Sequence, residues 1–151
     1  MFVTEDTSKA FFSFFTEITI ISQLSGRILE AALPSGFLAS HFGVLNHLVR
    51  LGDGRTPLEI ARAFQVPKAT MTHTLSGLVE GGLISMVPNP DDGRSKCVML
   101  TAKGRRVRDA AIARLEPEFS RMAERFPSDA IRRVLPLLSE MRAYLDSQRG
   151  S

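Results

Sequence analysis

The sequence predicts a mainly α-helical fold with one small β-hairpin, and three observations carry that expectation. Apolar residues recur at steps of three and four near both ends of the chain, the spacing that gives a helix one buried face. The middle holds two short helical stretches separated by the turn Gln65-Val66-Pro67. Two apolar-rich runs then flank Pro88-Asn89-Pro90-Asp91-Asp92-Gly93, a loop dense in turn formers. At 151 residues, 44% hydrophobic and 23% charged, the chain suits one globular domain with attached helices rather than a disordered tail. Its single cysteine, Cys97, excludes an intrachain disulfide and a cysteine-built zinc cluster, and fits a reducing compartment.

The first helix is marked by Phe11, Phe14, Phe15, Ile18, Ile21, Ser25, Ile28, Leu29 and Ala32, with an end near Leu33-Pro34. Phe12, Ile20 and Leu24 add a second apolar strip, so this helix needs cover on more than one side. Glu17 interrupts the greasy stretch before it reaches the ~20 apolar residues of a membrane span. Glu5 and Asp6 precede Lys9, unlike the basic start of an export signal. No membrane association is expected, and the expected location is the cytoplasm.

The last helix shows the same stepping in Ile131, Val134, Leu135, Leu138, Met141 and Leu145. Ser128 is expected as its N-cap, and Pro117 and Pro136 are expected to bend the last two helices, because proline removes a donor and crowds the preceding turn. Surplus apolar surface at both ends points to a dimer interface. The organisation expected is therefore a dimerisation helix over 1–34, a central domain over 35–101 and C-terminal dimerisation helices over 102–151.

In the central part, Thr56-Pro57-Leu58-Glu59 is a capping box with proline at the first helical position. Leu58, Ile60, Ala61 and Phe64 are expected to form the buried face of the short helix that follows. A second helix runs from Lys68 to about Val79, which makes the pair a helix-turn-helix. Met71, Leu75 and Leu78 form its buried stripe, leaving Lys68, Thr70, Thr72, His73 and Ser76 on other faces. Each of these can donate a hydrogen bond and none is acidic. That chemistry suits a major groove, where base edges and phosphates offer acceptors and a carboxylate mostly repels. Gly81-Gly82 supplies a left-handed cap.

The two runs after it, Leu83–Val87 and Lys96–Leu100, predict a wing with Arg94 and Lys96 beside its tip, where a long cation can enter a minor groove. Thr101 caps the next helix, whose first turns carry Lys103, Arg105 and Arg106. Cations there oppose the helix dipole, so an external partner such as phosphate is expected.

The net charge of +3 is small, but it is unevenly spread. Residues 1–49 carry two Lys or Arg against four acids, residues 50–106 nine against five, and residues 107–151 eight against seven. The cationic third is the one with the helix-turn-helix and wing, as nucleic-acid binding requires.

These residues resemble the MarR-type winged-helix transcriptional regulators over about residues 10 to 146. The resemblance rests on the long first helix, the helix-turn-helix of residues 57 to 80, and Leu78-Val79-Glu80-Gly81-Gly82-Leu83-Ile84. It also rests on the wing motif Asp92-Gly93-Arg94-Ser95-Lys96 and on Leu100-Thr101-Ala102-Lys103-Gly104. It implies a winged helix-turn-helix domain flanked by dimerisation helices. The protein would be a homodimeric, sequence-specific repressor that grips a pseudopalindromic operator in double-stranded DNA and is released by a small molecule. It also implies a cytoplasmic, nucleoid-associated protein of a bacterium or archaeon. DNA contacts are expected from Lys68, Thr70, Thr72, His73, Ser76, Asp92, Arg94 and Lys96, with Arg94 entering the minor groove and Asp92 orienting it or bracing the wing.

The chain departs from the family pattern at three places. Pro67 replaces a frequent Ser before the recognition helix, His73 stands where Arg is common, and Ser85 and Met86 stand where a basic residue is common. The cysteine used near the start of the first helix by the peroxide-sensing branch is absent. For the effector, an aromatic or other organic anion, Arg27 and His41 are the expected anchors among Phe37, Phe42 and Leu45. Two alternatives stand beside this: a winged-helix protein-interaction module, and a redox-responsive regulator acting through Cys97. His41 and His47 lie about 120° apart on a helix, a poor pair of metal ligands. No metal, cofactor or catalytic motif is expected. Imidazole is shorter than guanidinium and only conditionally charged, so His73→Arg is expected to tighten operator binding and flatten its pH dependence. Titrations from pH 6 to 8 check this, and equal, pH-independent affinities for both proteins would contradict it.

Overall fold

The computed structural model describes residues 3–148. Six helices and one hairpin follow in the order α1 (Glu5–Ala32), α2 (Ala39–Leu51), α3 (Pro57–Ala63), α4 (Lys68–Glu80), β1 (Ile84–Asn89), β2 (Asp92–Leu100), α5 (Ala102–Arg125) and α6 (Ser128–Ser147). The mainly helical fold with a two-stranded wing is the one the sequence predicts. The chain divides into two units, Met1–Arg114 and Leu115–Ser151, with α5 running across the division. Among the described residues no helix is long and apolar enough to cross a membrane.

In the first unit, α1 starts where the Thr4 hydroxyl accepts from the Thr7 amide at 3.2 Å, with Glu5 and Asp6 in the first turn facing the positive end of the dipole. Its C-terminal end is buried through Ala32 and Leu33, whereas Phe11, Phe12, Ile18, Ile20, Ile21 and Leu24 are exposed in the single chain, Phe12 by 77%. Helices α2, α3 and α4 close around one core. Val44, Leu45 and Leu48 of α2, Ile60 and Ala61 of α3, and Met71, Leu75 and Leu78 of α4 meet Leu83, Ile84 and Val98 of the hairpin region. Burying a leucine of this kind contributes roughly 1.5–3 kcal/mol.

The capping box of α3 forms as the sequence predicts. The Thr56 hydroxyl accepts from the Glu59 amide at 3.3 Å, and the Glu59 carboxylate accepts from the Thr56 amide at 2.7 Å. The latter bond to the backbone, helped by the Thr56 hydroxyl and by Arg55 and Arg62, holds the Glu59 carboxyl below its ordinary value. Leu58 departs from expectation: it is 42% exposed, because in so short a helix the inward arc is filled by Ile60 and Ala61.

The hairpin is longer than its apolar runs. Ile84 pairs with Leu100 and Pro88 with Lys96, and a bulge between Pro88 and Asn89 lets Asn89 pair with Asp92, so the turn shrinks to Pro90-Asp91. A third segment joins it. The Val98 amide donates to the Arg55 carbonyl at 2.8 Å, the Gly54 amide donates to the Val98 carbonyl at 3.0 Å, and Asp53 Oδ1 accepts from the Leu100 amide at 2.7 Å. Gly52 and Gly54, with φ of 92° and 88°, make the tight path that brings Asp53 and Arg55 to β2.

Pro117 and Pro136 sit inside α5 and α6 without ending either helix. Ser128 is the first residue of α6 and not its cap. Pro127, at φ −55° and ψ 137°, is the last non-helical residue and offers its carbonyl to the Ala130 amide at 2.9 Å. In the second unit, α6 exposes Ile131, Val134, Leu135, Leu137 and Leu145, with no buried residue along its length.

The start of α5 packs against the α4–β1 corner at a distance only glycine allows. A Cβ added at Gly104 would stand 2.0 Å from the Leu83 carbonyl oxygen, a backbone atom that cannot step aside alone. Gly104→Ala is therefore expected to destabilise the protein by about 2 to 4 kcal/mol. Urea unfolding checks this, and a midpoint unchanged from wild type would contradict the packing described.

Candidate nucleic-acid interface

Helix α4 begins after Pro67, whose carbonyl accepts from the Met71 amide at 3.1 Å but which has no side chain to cap the helix. The first backbone amides of α4 are therefore open to an external anion. Met71, Thr74, Leu75 and Leu78 face the core. The buried Thr74 hydroxyl is satisfied by donating to the Thr70 carbonyl at 3.2 Å. Lys68, Thr70, Thr72, His73 and Ser76 are all exposed, so the burial of one stripe leaves all five predicted residues outside. Thr72 differs from the other four, since its hydroxyl already donates to the Lys68 carbonyl at 2.9 Å. It offers its oxygen as an acceptor, or must turn before it donates elsewhere.

The end of α4 is held by a Schellman arrangement: the Leu83 amide donates to the Leu78 carbonyl at 2.9 Å and the Gly82 amide to the Val79 carbonyl at 3.0 Å. The left-handed residue is Gly82, at φ 71°. Gly81 serves a different need, close approach, because a Cβ there would stand 2.5 Å from the Phe37 ring.

The wing tip is pinned by its own side chains. Asp92 Oδ1 accepts from the Arg94 backbone amide at 2.9 Å, Asn89 Oδ1 from the Asp91 amide at 3.0 Å, and Asn89 Nδ2 donates to Ser95 Oγ at 2.9 Å. Of the two roles the sequence left open for Asp92, the geometry shows the brace. The Arg94 guanidinium and the Lys96 ammonium are exposed and, among the described residues, have no internal hydrogen-bond or ion-pair partner. Lys103 behaves otherwise than its position in the sequence predicts. Its Nζ donates to the Gly81 carbonyl at 2.9 Å, so its charge meets the negative end of α4 rather than only opposing the dipole of α5. No periodicity signals a bond between residues 22 positions apart.

A cavity of about 770 Å³ lies against α4, lined among others by Leu38, His41, Pro57, His73, Ser76 and Met86. His41 belongs to it, but Arg27, exposed on α1, is not part of the lining, and Leu45 is closed in the core. The Leu38 amide donates to His41 Nδ1 at 2.8 Å, which caps α2 and leaves the ring proton on Nε2 in the neutral form. Burial, then the charge of His73, lowers the pKa of His41 from its ordinary value. Gly77 makes room for the ring, since a Cβ there would stand 2.8 Å from His41 Nε2. His47 packs against Phe64 at 5.3 Å between ring centres, and burial with Arg55 and Arg50 lowers its pKa also. Among the described residues no group of three or more His, Cys, Asp and Glu could hold a metal ion. Cys97 is buried, with 6% exposure.

The model of the MarR family matches residues 35–95, the stretch that contains α2, α3, α4 and most of the wing. The multiple antibiotic resistance protein MarR of Escherichia coli (strain K12) is 33% identical over 88 residues, which cover 58% of this chain and 60% of that protein. The protein of the same name from Salmonella typhimurium matches to the same extent. The chain thus spans 60% of the length of these curated relatives. Among solved structures, a mutant of the Escherichia coli MarR complexed with operator DNA superposes with a TM-score of 0.74 at 24% identity, covering 85% of this chain and 93% of that one. The PcaV transcriptional regulator from Streptomyces coelicolor, in complex with its natural ligand, gives 0.70 at 20% identity, covering 83% and 89%.

The lowered pKa values of His41 and His47 carry a sign for stability. As pH falls below the ordinary value of 6.5, the unfolded chain binds protons on these rings before the folded chain does. Stability is thus expected to fall from pH 7 towards pH 5. His41→Gln keeps a side chain able to reach back to the cap and is expected to flatten part of that loss. Urea midpoints across this range check it, and a wild-type stability that rises on acidification would contradict it.

Proposed function

Residues 35–95 match the model of the MarR family, and on that match we propose that the protein is a sequence-specific DNA-binding transcriptional regulator of that family working as a homodimer on a pseudopalindromic operator. The observation that carries this reading is the exposed, acid-free set Lys68, Thr70, Thr72, His73 and Ser76 on α4, together with a wing whose Arg94 and Lys96 have no internal partner among the described residues. A helix whose outer face served only solubility would mix in carboxylates. The major groove rewards donors, and a wing cation gains from the negative potential of a minor groove. Asp92 serves by holding the Arg94 backbone. The homodimer accounts for the exposed apolar strips of α1 and α6, which a solitary chain would leave in water. Under this reading 1–34 and 102–151 are the dimerisation segments around the DNA-binding domain of 35–101.

The regulator is a repressor released by a small organic anion in the cavity beside α4. His41 Nε2 and the Ser76 hydroxyl supply donors there, with Leu38, Pro57 and Met86 as apolar walls. His41 is retained as an anchor; Arg27 lies outside the lining and is not one. The burial of Cys97 speaks against a redox mechanism, since a sensing thiol must meet its oxidant.

Selection of the operator from random DNA, followed by titration against salt, tests the function. The logarithm of affinity is expected to fall with the logarithm of salt by about 0.9 for each phosphate neutralised, whereas a salt-insensitive contact would instead support a protein partner. Arg94→Ala is expected to weaken operator binding roughly ten- to a hundredfold while leaving the melting temperature unchanged. Full affinity in that variant would remove the wing from the interface.

A further inference from the structure

We propose that Lys103 is a positioning residue for the recognition helix α4, holding its carboxyl end through the Gly81 carbonyl, and that it is not a phosphate ligand. The inference rests on the DNA-binding reading of α4. By position alone Lys103 belongs with Arg105 and Arg106, a cluster of cations in the opening turns of α5. The structure separates them: Lys103 Nζ is 2.9 Å from the Gly81 oxygen, while the guanidinium groups of Arg105 and Arg106 are exposed and have no hydrogen-bond or ion-pair partner among the described residues. Gly81 is the C-cap of α4, and carbonyls in that last turn lack donors from within the helix. No basic residue of α4 occupies its own last turn, so the complementary charge comes from α5.

The neighbouring bonds show why one lysine matters at this corner. The Gly82 carbonyl accepts from Thr101 Oγ1 at 2.7 Å and the Leu83 carbonyl from the Thr101 amide at 3.1 Å. Three successive carbonyls, of Gly81, Gly82 and Leu83, are thus taken by Thr101 and Lys103 at the start of α5, and only the Lys103 bond reaches the C-cap of α4. The same half of α5 grips two other elements. Arg108 donates from Nε and Nη2 to Asn46 Oδ1 on α2, and Arg114 Nη1 donates to the Ala32 carbonyl at the end of α1. Within this unit the first half of α5 is therefore a strut bonded to α1, α2 and the end of α4. Loss of the Lys103 bond leaves the buried stripe, the Schellman bonds, the strut and the Thr101 bonds in place but loosens the carboxyl end of α4, and with it the tilt at which the helix is presented.

The test uses the full chain as wild type, Lys103→Met and Lys103→Arg, titrated across salt with the selected operator. Lys103→Met, which keeps the aliphatic stem, is expected to weaken binding about three- to tenfold with an unchanged salt slope, and Lys103→Arg to recover most of the affinity. Amide exchange at Gly81, Gly82 and Leu83 is expected to accelerate in Lys103→Met, while exchange at Leu45 and Leu48 of α2 stays at wild-type rates. A slope shallower by about 0.9 identifies a phosphate ligand and overturns the proposal, as does wild-type affinity in Lys103→Met. If the wild-type chain binds no DNA, the DNA-binding reading falls; accelerated exchange then still supports the hold on α4, and unchanged exchange overturns it.

Discussion

The burial of one stripe of α4 against the shared core is the constraint on which the site depends. Met71, Leu75 and Leu78 are at most 3% exposed, and they meet α2, α3 and the root of the hairpin in one cluster. A helix locked along one side cannot rotate about its axis without opening a cavity, which costs several kcal/mol. The exposed face of Lys68, Thr70, His73 and Ser76 is thus presented at a fixed angle by residues that touch no ligand. Thr74 is the one buried polar group of the stripe, and it is tolerated because its hydroxyl finds the Thr70 carbonyl within the same helix.

Rotation is fixed by the core, but the ends of α4 are governed by hydrogen bonds. At the amino end Pro67 withholds a side-chain cap, so donors remain for an anion. At the carboxyl end every device is internal: a left-handed Gly82, the Leu83 amide on Leu78, and Thr101 and Lys103 on the carbonyls that follow. This asymmetry suits a helix that meets a polyanion with one end and transmits position with the other. The hairpin repeats the division. Its root is buried through Ile84 and Val98 and bonded to Asp53 and Arg55, and its tip carries Arg94 on a turn stiffened by Asp92 and Asn89.

Glycine does two separate jobs around this site. At Gly52, Gly54 and Gly82 the backbone takes a positive φ that other residues adopt only under strain. At Gly77, Gly81 and Gly104 the conformation is ordinary and the need is space, for the His41 ring, the Phe37 ring and the Leu83 carbonyl in turn. The second group sets how closely α2 and α5 approach α4, and so how the cavity beside His41 and the strut of α5 relate to the recognition face.

Local rules made most of the architecture legible in the sequence. A 3.6-residue period, a Thr-Pro-Leu-Glu start and a Gly-Gly end are read within a dozen residues, and they gave α1, α3, α4 and the five outward side chains of α4. What they missed involves distance along the chain. Leu58 is a matter of which arc of a short helix is used, and the Asp53-to-Arg55 segment joins a strand more than 40 residues later. Lys103 finds its carbonyl on another helix, and the cavity falls beside α4 with His41 but without Arg27, because a pocket is the space left between elements. The sequence by itself determined where α1, α3, α4 and α6 form and which face of α4 is polar, since those follow from spacing and caps. Only the tertiary structure decided which cation is left free for a partner and which is consumed by the protein, because that turns on a few ångströms between elements that the order of residues does not encode.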